Sequence, residues 1–238
     1  MVTLAIDTSD ARGSVALLRN QLPPVLSVHQ DSSDYSSWLL YAISQILAES
    51  STDPASLELL AVSTGPGSFT GLRIGLTTVK AWAALYHTPV VGVSRLLAIA
   101  SSIAVATPYV ASSFDAHRGQ LFGALYRSTP DSGLARSGEE LVATPEEFLQ
   151  FATARAGSQP ISWAALDPSL LSGTALFSSR SNQGDSLQTA SPVLAPVIAQ
   201  LAIECANRGD FSDPITLDAD YVRRSDAELF WKDPSAHG

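Results

Sequence analysis

Hydrophobic and polar residues change rhythm several times along the chain. The first two apolar runs, "TLAIDTS" and "GSVALLRN", flank the turn-forming "TSDARG" and read as a β-hairpin over residues 3–20. A polar opening, "DSSD", whose side chains can accept from free backbone N–H groups, precedes "YSSWLLYAISQILAES". There Tyr35, Trp38, Leu39, Ala42, Ile43, Ile46 and Leu47 recur at helical spacing and form one apolar stripe. Leu40 and Tyr41 fall off that stripe, so the predicted helix carries more apolar surface than one contact face requires. "SLELLAVST" reads as a buried strand, and residues 72–86 as a helix apolar nearly all round, of the kind covered on more than one side. "PVVGVS" predicts a short strand, Ser94 is placed to cap a helix through residue 106, and "YVASSFDAHRGQLFGALY" opens a second hairpin.

This order of hairpin, helix, strand, helix, strand, helix and fresh hairpin predicts an α/β protein with an N-terminal lobe over residues 1–107 and a C-terminal lobe over 108–238. "DARGSVALL" and "DAHRGQLFGALY" share an acidic turn with Arg-Gly leading into a strand. Such an echo fits a duplicated lobe, and it equally fits the frequent use of Asp, Arg and Gly in hairpin turns. Residues 152–190, rich in Ser, Gly, Ala and Gln with poor periodicity, read as loops with two short strands. Residues 191–209 recover helical spacing, stop at Gly209, and are expected to pack back on the first lobe. The charged and aromatic tail is expected to fold back onto the body.

With 238 residues, 45% of them hydrophobic, the chain can build a core without covalent staples. A single cysteine, Cys205, excludes an internal disulfide and a cysteine-rich zinc site. "MVTLAIDTS" meets Asp7 at once and reads as a first strand, not a signal peptide. "LLAIASSIAVATPYVA" is broken by serines and Pro108 and falls short of the roughly 18 apolar residues of a membrane span. The expectation is a cytoplasmic protein. A net charge of −9 argues against unaided nucleic-acid binding, because Lys and Arg contacts with phosphate supply most of that affinity.

The candidate chemistry begins at "GPGSFTGLR". A strand, a turn with Gly65, Gly67 and Gly71, and a helix start with Ser68 and Thr70 would point free N–H groups at an anion. The glycines are spaced G-x-G-x-x-x-G, not as in the dinucleotide fingerprint, and no Lys-Ser/Thr pair follows as in a P-loop. Lys80 lies more than two helical turns further on. A tight structural turn and a phosphate cradle both fit. Asp7, Ser9 and Asp10 in the first hairpin and Asp115 in the second are candidates for a phosphate or magnesium-phosphate contact, or for turn capping. His29, His87, His117 and His237 show no i, i+4 pairing, so a metal site is not expected. Ser112 or Ser113 with Asp115 and His117 would compose a hydrolase triad, but no strained nucleophile elbow accompanies them. Trp38 and Trp82 fit either core packing or a subunit interface.

The segments "LAIDTSDARGSVALL", "STGPGSFTGLRIGLTTVKAWA", "PVVGVSRLLAIA", "DAHRGQLFGALY" and "YVRR" resemble, in order and approximate spacing, the TsaB family, also called YeaZ. The resemblance covers the first half densely and the last quarter sparsely. It implies the two-lobed actin/sugar-kinase/Hsp70-like fold with duplicated ribonuclease-H-like lobes. It further implies a non-catalytic subunit of the bacterial machinery that makes threonylcarbamoyladenosine at position 37 of ANN-decoding tRNAs. There TsaB pairs with the metal-holding transferase TsaD, the ATPase TsaE joins them, and tRNA is met only through the complex. By the same resemblance the helices 33–49 and 72–86 form the partner interface, through Tyr35, Trp38, Leu39, Ala42, Ile46, Arg73, Thr77 and Trp82, and the same surface makes a homodimer when the protein is alone. No metal, cofactor or catalytic residue of its own is implied, with ATP or ADP at the complex junction as the one candidate contact of the turn 65–71. Tyr35 and Tyr41 stand where many relatives carry histidine and proline, and the proline often preceding the tail motif is missing before Tyr221. The alternatives from other classes are an M22-type metallopeptidase-like hydrolase and a small-molecule kinase of the same fold.

Overall fold

The computed structural model describes residues 1–20, 22–30, 34–129 and 133–222. Two sheets carry the chain. The first is ordered β3-β2-β1-β4-β5, from β1 (Val2–Asp7), β2 (Ser14–Arg19), β3 (Val25–Val28), β4 (Leu59–Gly65) and β5 (Val90–Ser94). The second is ordered β11-β10-β6-β7-β8, from β6 (Tyr109–His117), β7 (Gln120–Thr129), β8 (Gly133–Arg136), β10 (Ile161–Ala165) and β11 (Ser186–Thr189), with β9 (Leu141–Ala143) beside β7. In each sheet an antiparallel hairpin, β1–β2 or β6–β7, takes an antiparallel edge strand on one side and two parallel strands on the other. The two Arg-Gly turns of the sequence echo therefore occupy equivalent places, and the α/β fold is the two-lobed actin/sugar-kinase/Hsp70-like one.

The pleat sorts side chains by size. Leu4, Ile6, Val15, Leu17, Leu60 and Val62 face α1 (Tyr35–Glu49) and α2 (Phe69–Tyr86) in one apolar cluster. The alternate positions Ala5, Ala16 and Ala61 face a second cluster containing Ala195, Ile198, Ala199 and Ala202 of α7 (Ala195–Asn207) and Leu96, Ala98 and Ile99 of α3 (Arg95–Ser101). Alanines on strand and helix let backbones approach closely, and the same cluster takes in Val110, Phe114 and Ala164 of the second sheet. The start of α7 is tied down as well, Ala195 N donating to Ser14 Oγ (3.1 Å). On the far side of the second sheet, Phe148, Trp163, Leu171 and Phe177 form the third cluster under α4 (Pro145–Ala156), α5 (Ser169–Ser172) and α6 (Ala175–Ser181). Its one buried ion pair, Arg180 with Asp185 (2.9 Å), also serves the indole of Trp163, which donates to Asp185 Oδ2 (2.8 Å).

Two expectations need correction. The helix capped by Ser94, whose hydroxyl accepts from Leu97 N (3.2 Å), ends at Ser101 and not at residue 106. β-branched Ile103 and Val105 and the restriction that Pro108 places on its predecessor turn the chain toward β6 instead. Residues 152–190 hold the two expected strands, β10 and β11, but also the end of α4 and the whole of α5 and α6. The short helices exist because caps and burial hold them: Thr174 accepts from Phe177 N (3.1 Å), and Leu171 and Phe177 are buried. Of the tail, residues 211–222 lie along the first lobe, Ser212 N donating to Val90 O (2.8 Å); Arg223, Arg224 and the rest lie outside the described residues. Among the described residues no helix is long and apolar enough to cross a membrane.

Candidate functional site

The turn between β4 and α2 is pressed against the loop that follows β1. A Cβ on Gly67 would sit 2.2 Å from Ser9 O, and one on Gly71 would sit 2.0 Å from Thr8 O, so only glycine permits the approach. Ser68 N donates to Ser9 O (2.7 Å), Thr8 Oγ1 donates to Gly71 O (2.7 Å), and Ser68 Oγ caps the helix by accepting from Gly71 N (3.3 Å). Two amides that a phosphate cradle would offer are thus engaged within the chain. Thr70 stands exposed on the first turn and makes no cap.

Beside this turn lies a cleft of about 410 Å³ between the lobes, lined by Ser9, Asp10, Gly67, Ser68, Phe114 and Asp115 among others. Its centre is Arg95, which the sequence reading overlooked; a lone arginine opening an apolar helix is the signal that marks it. The Arg95 side chain is buried, forms an ion pair with Asp10, and lies 4.0 Å over the ring of Phe114 from the other lobe. Burial alone would raise the Asp10 carboxyl, but the guanidinium beside it holds it below the usual carboxylate range. Asp7 lies beneath, fully buried; desolvation pushes its carboxyl up against the opposing pull of Arg95, and its Oδ1 accepts from Ser9 N (3.0 Å). Of the two hairpins, then, Ser9 and Asp115 reach the cleft and Asp7 does not. Asp115 Oδ1 accepts from His117 N (2.7 Å), and its other oxygen is 3.3 Å from His117 Nδ1. The hydroxyls of Ser112 and Ser113 are buried without a hydrogen-bond partner, so no serine is joined to His117 as a triad would require.

The second candidate surface is the outer face of α1 and α2. Leu39, Ala42 and Ile46, expected at an interface, are 2% exposed or less and belong to the lobe's own core. The residues off the stripe point outward: Leu40 is 56%, Tyr41 64% and, on α2, Leu85 67% exposed. Two grooves, of about 560 and 500 Å³, flank Leu40, one toward Trp82 and Tyr86, the other toward Phe69, Arg73 and Thr77. Trp82 is half-buried, its ring 5.6 Å from that of Tyr86. Arg73 lies 3.8 Å over Phe69 and donates to Tyr221 Oη (3.3 Å). Trp38 and Tyr35, both half-buried, pack around the ring of His29 at 5.0 and 4.5 Å. The Tyr35 hydroxyl accepts from Gly13 N (2.6 Å) and donates to Asp10 O, so it steadies the hairpin turn instead of facing outward. Among the described residues no group of three or more His, Cys, Asp and Glu side chains is placed to hold a metal ion.

Fold and cleft define a two-lobed protein of the actin/sugar-kinase/Hsp70-like class in which an internal ion pair sits between the lobes. A family model described as "TsaD: tRNA N6-adenosine threonylcarbamoyltransferase" matches residues 29–183, and the chain belongs to that family. Within it, the chain is similar to the tRNA threonylcarbamoyladenosine biosynthesis protein TsaB of Bacillus subtilis, 33% identical over 53% of this chain and 56% of that one. It is also similar to the TsaB of Escherichia coli, 31% identical over 61% of this chain and 64% of that one. The matches thus span less than two thirds of these relatives' lengths. A solved structure of YeaZ from Pseudomonas aeruginosa is alike in fold, with a TM-score of 0.71 over 92% of this chain and 99% of that one, at 24% identity.

Two expected outcomes follow from the geometry. Gly71→Ala gains helix propensity, yet its Cβ has no room against Thr8 O, so urea unfolding is expected to show a net loss of about 1–3 kcal/mol; unchanged or raised stability contradicts the clamp. For Tyr35, burial pushes the phenol up to about 12. A folded-state value above the unfolded one contributes stability that is complete below the unfolded value, near 10, and is lost as pH rises through 12. Tyr35→Phe is therefore expected to flatten the fall in melting temperature above pH 10, and an unaltered alkaline slope contradicts it.

Proposed function

We propose that this chain is a non-catalytic scaffold subunit of the complex that forms threonylcarbamoyladenosine in tRNA, and that it pairs with the transferase TsaD through the outer face of α1 and α2. The observation that carries the reading is the outward cluster of Leu40, Tyr41 and Leu85 with Trp82 at its edge, on two helices whose inner stripes already fill the lobe core. Large apolar side chains bordering grooves are what a helix-against-helix partner would cover. Tyr35, Trp38, Arg73 and Thr77 stand around this patch, while Leu39, Ala42 and Ile46 support it from beneath. The same face serves a homodimer when the partner is missing. TsaE joins the assembled pair, and tRNA is met through the complex, in keeping with a net charge of −9.

The cleft favours a supporting role over chemistry. A kinase of this fold needs its interlobe carboxylates for a metal-bound phosphate; here Arg95 is seated against Asp10, and Asp7 is turned to Ser9. The turn 65–71 fixes how α2 leaves β4, and an ATP or ADP contact at the complex junction is secondary to that role.

Light scattering of wild type and Leu40→Asp, each alone and mixed with TsaD of the same organism, tests the reading. Wild type is expected to exchange its homodimer for a heterodimer. The substitution, at a position 56% exposed and outside the core, is expected to weaken both by about 2 kcal/mol or more, some thirtyfold in Kd. Unaltered association in the variant would move the interface elsewhere, and a wild-type chain that ignores TsaD would remove the scaffold role.

A further inference from the structure

The last described residues lead into the interlobe cleft. Asp220 is fastened to Thr64 twice, its amide donating to Thr64 O (2.8 Å) and its Oδ2 accepting from Thr64 Oγ1 (2.8 Å). The ring of Tyr221 lies 5.3 Å from that of Phe69, and Val222 already lines the cleft. The lining is acidic: Asp10, Asp115, Asp167 and Asp220 stand against Arg95, which is committed to Asp10, and His117. The rings of Phe69, Phe122 and Tyr221 supply aromatic surface beside these carboxylates. Carboxylates next to aromatic faces suit a guanidinium, which pairs with the first and stacks on the second. A free nucleotide phosphate would instead meet like charge.

The sequence continues directly with Arg223 and Arg224, followed by Phe230 and Trp231. We propose that the interlobe cleft is the seat of this chain's own C-terminal segment, with Arg223 and Arg224 received by Asp115, Asp167 and Asp220. The geometry favours this occupant over a basic segment of another protein. Residue 223 follows the lining residue Val222, one residue spans about 3.3–3.6 Å, and no linker has to be ordered to deliver the charge. A tethered segment also acts at an effective concentration of order mM, which a free competitor must exceed. The device gives the protein a cleft filled from within, open to another cation only when the tail is drawn away.

Full-length chain carrying Arg223→Lys and Arg224→Lys keeps the charges and adds amines that a water-soluble carbodiimide couples to nearby carboxylates. Mass spectrometry is expected to find amide bonds from these lysines to Asp115 or Asp167 within one chain, strongly reduced in about 1 M salt, where the screening length is ~3 Å. Lys80, on α2, gives the background of chance coupling. Bonds confined to Asp220 and the tail's own acids, or to remote carboxylates such as Glu49 and Glu146, overturn the proposal. So do bonds between molecules, recognised by mixing isotopically light and heavy chains, since these assign the cleft to a second copy. None of these readouts depends on TsaD, so they stand or fall apart from the scaffold reading.

Discussion

The contact between the loop after β1 and the turn after β4 sets the geometry of everything that follows. Thr8 and Ser9 approach Gly67 and Gly71 so closely that no side chain fits between, and backbone and hydroxyl hydrogen bonds close the gap. An 18-residue helix must leave β4 at the angle this contact dictates. That angle lays α2 beside α1 with one stripe in the core and the remaining apolar residues outward. The same contact builds one wall of the interlobe cleft from Ser9, Gly67 and Ser68. One backbone approach thus determines both candidate surfaces.

The cleft shows how a shared architecture can be put to a different use. The two hairpins bring acidic residues toward one another, as a phosphate-handling member of this class would need. Here Arg95 enters between them, compensates Asp10 and spans to Phe114 on the second lobe. Ser94, the neighbouring residue, donates to Glu140 across the same boundary (2.6 Å). Charge that might have held a metal ion holds the lobes together instead.

Much of the fold was legible because its signals are local. The stripe of α1, the Ser68 and Ser94 caps, the stop at Gly209 and both hairpins are each written within a few residues, and the structure has them there. The short helices α5 and α6 were not, because what holds them is Leu171 and Phe177 meeting Trp163, and that meeting is tertiary. The candidate surfaces divide in the same way. Periodicity marked Leu40 and Tyr41 as surplus to one face, and both are exposed; it could not say that Tyr35 reaches back to Gly13 and Asp10, since that bond spans 22 residues to Gly13. Arg95 went unnoticed because its partner, Asp10, lies 85 residues away. A buried arginine is visible in sequence only as an odd charge in an apolar run.

The central claim is that the outer face of α1 and α2 is covered by the catalytic partner, and hydrogen exchange of this chain, alone and in equimolar mixture with TsaD, tests it most directly. Slowed exchange concentrated in α1 and α2, with α4 to α6 unaffected, is the predicted result. Protection confined to the second lobe, or none at all under conditions where the two proteins comigrate, would contradict it.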